Sequence, residues 1–188
     1  GVEFIICDHH LPGEVIPKAT AILNPKQADC SYPFKELSGC GIGFKLIQAY
    51  ATATNMPDVK IERYLDLAAV SIAADIVPIN DENRVLAHFG LRKLVEDPNY
   101  GLSALLEYSS KKPELTISDV VFSIGPRINA AGRIADAKDS VRLMLAPSME
   151  KAREFAGQIN THNEERRNFD TNITEEALSL IENSTEMH

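Results

Sequence analysis

The stretch Ile5-Ile6-Cys7-Asp8-His9-His10 is apolar for three residues and then ends in one carboxylate and two imidazoles. With Val2-Glu3-Phe4 before it and Leu11-Pro12-Gly13 after it, the run reads as a short buried strand that stops at a turn. The polar triplet thereby falls at the strand's carboxyl end, the edge at which open α/β sheets bind ligands. Neighbouring residues at a strand terminus point to different sides, so one imidazole can ligate a metal while the other faces a substrate. Such a triplet also arises as an ordinary polar turn. Against that stands the cost of setting a carboxylate and two imidazoles on an apolar strand unless they are paired or coordinated.

Moving outward, Ala19-Thr20-Ala21-Ile22-Leu23 reads as a second strand, ended by Asn24-Pro25. Leu37-Ser38-Gly39-Cys40-Gly41-Ile42-Gly43 is a glycine-rich entry into a helix that runs to Tyr50. Its alternating glycines suit either close helix packing or the approach of an anion to backbone amides. Their spacing fits neither the dinucleotide fingerprint nor a P-loop. A second helix is predicted from about Val59 through Ala74, with Leu65, Ala68, Ala69, Ile72 and Ile76 on one face. Asp75 interrupts the near-continuous apolar run that ends at Pro78. An acid at a helix C-terminus meets the negative end of the macrodipole and calls for local positive charge. A divalent cation supplies that charge in one reading; in the other, Asp75 is a surface acid capping the turn before Pro78.

Asn80-Asp81-Glu82-Asn83 reads as a polar turn, and Val85 to Val95 as a helix in which His88 is a partly buried structural residue. Gly101 to Tyr108 reads as a short helix, and Thr116-Ile117-Ser118-Asp119 has capping-box spacing. Next comes Ile124-Gly125-Pro126-Arg127-Ile128-Asn129-Ala130-Ala131-Gly132-Arg133, in which Gly-Pro is expected to break the helix and the small residues to allow close backbone approach. Arg127, Asn129 and Arg133 offer convergent donors, and arginine's planar fork suits phosphate oxygens. The same arginines also have many of the 27 acidic side chains as possible surface partners. A short helix over 136–145 and a long one from about Met149 to Ile181 complete the chain. The polar segment Asn160 to Asn168 within the long helix is typical of a helix that bridges domains.

With 188 residues, 44% hydrophobic and 24% charged, the composition is that of an ordinary soluble globular domain. No apolar run approaches membrane-spanning length and nothing near Gly1 resembles a signal peptide, which points to a cytoplasmic protein. Cys7, Cys30 and Cys40 are odd in number and lack C-x-x-C spacing, which argues against a disulfide framework or a zinc ribbon. A net charge of −8 gives no general affinity for a polyanion, so any phosphate is held locally, by metal ions or a few arginines. Without Trp and with only 6% aromatics, a base-stacking surface is not expected in this segment. Only two strands are credible, and two are marginal as a sheet. The sequence therefore reads as cut from a longer protein at both ends, with residues 1–147 a partial α/β core and 148–188 a long connecting helix.

Three islands stand together: Asp8-His9-His10, Ala74-Asp75-Ile76-Val77-Pro78, and Gly125-Pro126-Arg127-Ile128-Asn129-Ala130-Ala131-Gly132-Arg133. In that order and at those intervals they resemble the DHH phosphoesterase superfamily, and the third island resembles its RecJ family of single-stranded-DNA exonucleases. The glycine-rich stretch from Leu37 to Leu46 and Asn163-Glu164-Glu165-Arg166-Arg167 extend the likeness over essentially the whole chain. The resemblance implies a predominantly helical α/β core with few parallel strands. It also implies 5′-to-3′ removal of nucleotides from single-stranded DNA with Mn²⁺ or Mg²⁺, in recombination and repair.

By the same resemblance, His9 and Asp75 are metal ligands, Asp8 orients the cluster, and His10 faces the scissile phosphate. Arg127, Asn129, Gly132 and Arg133 hold the substrate phosphate or shape its pocket. A single-strand-binding protein or a repair helicase is the implied protein partner. The family's earlier aspartate motifs and its C-terminal domain have no match here, so the chain alone is expected to be inactive or nearly so. The competing readings are a DHH phosphoesterase acting on oligoribonucleotides or cyclic dinucleotides, and a binding module that has kept the fold without the metals.

Overall fold

The computed structural model describes residues 1–57, 59–109, 112–134 and 136–183; the side chains of 59, 60, 131, 133, 134 and 183 lie outside that description. The elements follow in the order β1 (Ile5–Cys7), β2 (Ala21–Leu23), α1 (Gly39–Ala53), α2 (Val59–Glu62), α3 (Leu65–Asp75), α4 (Asp81–Glu96), α5 (Tyr100–Leu106), α6 (Ile117–Ser123), α7 (Gly125–Ile134), α8 (Lys138–Met144) and α9 (Met149–Asn183). The architecture is the expected one: mostly helix, two parallel strands, and a long final helix.

The chain divides into two compact units, Gly1–Asn99 with Lys111–Gly125, and Tyr100–Ser110 with Pro126–His188. In the first, β1 and β2 pair in parallel with Ile5 opposite Ala21, Ile6 opposite Ile22 and Cys7 opposite Leu23. Cys7 and Leu23 pack on a core of Leu37, Ile42, Phe44, Ile61, Ile72 and Leu86. Complete burial of a side chain such as Ile72 is worth about 1.5–3 kcal/mol. Helix α3 is buried nearly all round, and its crossing with α4 is close because Gly90 has no side chain. A Cβ there would run into the carbonyl oxygen of Leu65 and come within 2.6 Å of Ala69 Cβ. In the second unit, Leu102 and Leu105 of α5, Leu143 of α8, and Ala152, Ala156 and Ile159 at helical spacing on α9 are all fully buried.

Several elements differ from their sequence-based expectation. The helix predicted over 59–74 is two helices. Tyr64 N–H closes a turn on the Ile61 carbonyl at 3.0 Å, which lets Ile61 enter the core while Asp66 meets the backbone of Asn99. Ile76 does not continue the apolar face: it caps α3 in the left-handed region at φ 52 and is 78% exposed. Asp81 to Asn83 form the first turn of α4, where Asn83 is buried and its Nδ2 donates to the carbonyls of Glu36 (2.6 Å) and Pro78 (2.9 Å). His88 is exposed, with its ring edge-on to Phe89.

The Thr116–Asp119 capping box is present in both directions, with Thr116 Oγ1 accepting from Asp119 N–H and Asp119 Oδ2 from Thr116 N–H. Lys112 pairs with the same carboxylate and, with the Thr116 bonds, lowers Asp119 to about 2. Helix α6 stops at Ser123, but Gly125-Pro126 opens α7 at once instead of an irregular loop. Proline is tolerated in a first helical turn, where its missing N–H has no partner to lose.

Candidate active site

The end of β1 builds one half of the site. Asp8 N–H donates to the Leu23 carbonyl at 3.0 Å, the last link of the parallel pair, and the chain then turns sharply. Asp8 Oδ1 makes that turn by accepting from His9 N–H (2.8 Å), His10 N–H (3.2 Å) and His10 Nδ1 (2.7 Å). The bonds from His10 hold the Asp8 carboxyl below the usual carboxylate range. From β2, Asn24 Nδ2 donates to the His10 carbonyl at 2.8 Å and ties the far side of the turn. The two histidines are thereby separated: the His9 side chain is 16% exposed and that of His10 is 77% exposed.

The other half comes from α3 and α1. Asp75 ends α3, and its Oδ2 lies 3.6 Å from His9 Nε2. The positive charge that a helix-terminal acid needs is provided in this structure by the start of α1. Gly39 N–H donates to Asp75 Oδ2 at 3.2 Å, and Ser71 Oγ, one turn back on α3, donates to the same oxygen at 3.1 Å. Helix α1 carries no acid in its own first turn, so Asp75 occupies the place an N-terminal acid would fill. Gly39 borders both halves: a Cβ there would sit 3.7 Å from the His9 ring and 4.0 Å from Asp75 Oδ2. The alternating glycines therefore have separate uses, with Gly41 packed against Ser38 and Leu37 and Gly43 facing open space.

Two donors 3.6 Å apart, one imidazole nitrogen and one carboxylate oxygen, have a separation compatible with shared coordination of one ion at bond lengths of about 2.0–2.2 Å. Among the described residues no group of three or more His, Cys, Asp or Glu is arranged to hold a metal ion. His9 and Asp75 thus fit one side of a coordination sphere.

The third motif lies in the second unit, on α7. Arg127 is half-buried: its Nε donates to Asn160 Oδ1 on α9 at 2.9 Å, an NH2 donates to the Tyr108 carbonyl at 3.0 Å, and the guanidinium lies over the Tyr108 ring. Burial, with the Arg167 guanidinium as second cause, pushes its pKa down. Asn129 and Gly132 are exposed, and a Cβ at Gly132 would meet only Ala137 at 3.9 Å, so the glycine accommodates no tight contact within the chain. Arg133 belongs to α7, but its side chain lies outside the described residues. Sequence reasoning passed over Ser71 and Asn24 as functional residues, and weighed Gly39 only as one of three glycines suited to close packing or to an anion. Asn24 carried only the signal of a strand stop before proline, and Ser71 only its i, i+4 spacing from Asp75.

Residues 1–72 match the family model described as the DHH family, N-terminal domain. Over 183 residues the chain is 41% identical to the single-stranded-DNA-specific exonuclease RecJ of Bacillus subtilis, covering 97% of this chain and 22% of that protein. It is likewise similar to the crystal structure of RecJ from Thermus thermophilus in complex with Mn²⁺, with a TM-score of 0.82, 30% identity, and coverage of 95% of this chain and 26% of that one. The Mg²⁺ complex from the same organism matches with a TM-score of 0.79 and 29% identity, over 94% and 26% of the two chains. The chain spans about a quarter of the length of these relatives. No described helix is long and apolar enough to cross a membrane. Motif order, the parallel strand pair ending in Asp8-His9-His10, and similarity over nearly the whole chain converge on one conclusion: residues 1–72 match the N-terminal domain of the DHH family, and the chain is RecJ-like over almost its full length.

Proposed function

We propose that this chain serves a metal-dependent exonuclease that removes nucleotides from the 5′ end of single-stranded DNA in the cytoplasm, during recombination and repair. The observation that carries the reading is the approach of His9 Nε2 to Asp75 Oδ2 at 3.6 Å, from segments more than sixty positions apart in sequence. In it, residues 1–147 are part of the catalytic core, the helix within 148–188 is a connector, and His9 and Asp75 hold Mn²⁺ or Mg²⁺. A divalent ion bound there supplies charge to phosphodiester oxygens and lowers the pKa of water.

The chain's own residues do the rest. Asp8 fixes the turn that aims the two imidazoles, and the exposed His10 faces the scissile phosphate. Arg127 shapes the phosphate pocket by fastening α7 to Tyr108 and Asn160, and Asn129, the Gly132 backbone and Arg133 hold substrate phosphate. A single-strand-binding protein or a repair helicase is the partner class that delivers such a substrate.

In the intact protein, His9→Ala and Asp75→Asn are each expected to lower kcat on 5′-phosphorylated single-stranded DNA by on the order of 100-fold or more, since even outer-shell losses cost 10–100-fold in metal sites. The 188-residue chain alone is expected to release no nucleotides, because two donors do not hold a pair of ions. Digestion from the 3′ end, or undiminished activity in both variants, overturns the reading.

A further inference from the structure

We infer that Ser71 is a positioning residue for the Asp75 carboxylate, relaying the amino-terminal end of α1 onto the oxygen nearest His9. The inference rests on the reading in which Asp75 holds a divalent ion. Ser71 Oγ stands among the Cys40 backbone N–H, the Cys40 thiol and the Asp75 carboxylate. Cys40 N–H lies 3.2 Å away and can only donate; Asp75 Oδ2 lies 3.1 Å away and, as a carboxylate, can only accept. The carboxylate is a far stronger acceptor than the thiol, and the hydroxyl proton points from Ser71 to Asp75.

The start of α1 explains why the arrangement is stable. A helix leaves its first amides without intrahelical partners. Here Gly39 N–H is taken by Asp75, Cys40 N–H by Ser71 and Gly41 N–H by Ser38 Oγ, so two of the three are satisfied by side chains of another helix. Asp75 Oδ2 consequently carries two donors, while Oδ1 accepts no hydrogen bond among the described residues. The two bonds fix the rotation of the carboxylate beside His9, its partner in the proposed metal site. Ser71 and Asp75 are at i and i+4 on the last turns of α3, so the hydroxyl sets the carboxylate's rotation without moving the helix backbone.

The test uses the 188-residue chain and Mn²⁺ alone, read by paramagnetic broadening of the His9 ring-proton NMR signals, with thermal unfolding recorded for every variant. Asp75→Asn is expected to abolish the broadening. Ser71→Ala is expected to raise the Mn²⁺ concentration needed by about tenfold, the usual effect of losing a partner behind a metal ligand. Ser71→Thr, which keeps the hydroxyl, is expected to restore it. Ser71→Ala titrating like the parent while Asp75→Asn loses the ion overturns the positioning role and leaves the metal reading standing. An affinity loss that Ser71→Thr fails to restore, or that appears only with a lowered unfolding temperature, also overturns it. Absence of any broadening in the parent chain and in the intact protein alike overturns both.

Discussion

At the residue scale, two acids embedded in apolar helix sequence have opposite fates. Asp75 stands at the end of α3 beside His9, and Asp66 stands at its start, fully buried. Asp66 Oδ1 accepts from Leu67 N–H at 2.8 Å and Oδ2 from Asn99 N–H at 2.7 Å, while burial raises its pKa. Asp66→Ala removes the carboxylate acceptor from two part-buried amides, and each lost hydrogen bond of this kind costs about 1–3 kcal/mol. The variant is expected to lose about 3 kcal/mol in urea unfolding, whereas Asp66→Asn, which retains one acceptor oxygen, is expected to lose less. The sequence marks both acids equally, as carboxylates among leucines and alanines. It could not distinguish them, because the Asn99 backbone and the His9 ring reach them only through the fold. Asp8-His9-His10 was easier to read, since a strand stop and its polar triplet are contiguous. Ser71 was not, because a serine in a helix is ordinary until Cys40 and Asp75 are seen on either side of it.

Elements show where local rules suffice and where they fail. The capping box at Thr116 was visible because its two partners are three residues apart. Gly125-Pro126 was read as the end of regular structure because proline excludes an interior helical position. The same residue is compatible with a first turn, and local sequence does not choose between the two. Glycines are the sharpest instance. Gly90→Ala gains about 1 kcal/mol in helix propensity, but its methyl meets the α3 backbone and Ala69, an overpacking that costs about 1–3 kcal/mol or more. Gly43→Ala has open space and keeps the gain, about 0.5–1 kcal/mol. Thermal unfolding is expected to move down for the first and up for the second, although both glycines sit in helices and look alike in sequence.

For the whole molecule, the apolar pattern of α9 gives out before the helix does. Ala152, Ala156 and Ile159 are buried, Asn163 nearly so, and every residue from Arg167 to Glu182 is exposed. A helical stretch of that length without packing is marginal in water. A chain ending at Asn168 is therefore expected to unfold at the same urea concentration as the full chain, within about 0.5 kcal/mol. Amides over 169–183 are expected to exchange with solvent far faster than those of α3. A shifted midpoint would show that the distal half carries stability.

Ile76 brings α3 to an abrupt stop. A β-branched residue at φ 52 is an unfavourable place for the chain, by about 1–3 kcal/mol, and the packed helix before it sustains the distortion. The carboxylate one position earlier is thus the tip of a rigid rod and not a bead on a string. Its accuracy of aim is inherited from the grip of the hydrophobic interior on Ala68, Ala69 and Ile72, so mutations that loosen that grip shift the carboxylate away from His9 from a distance, before the molecule melts.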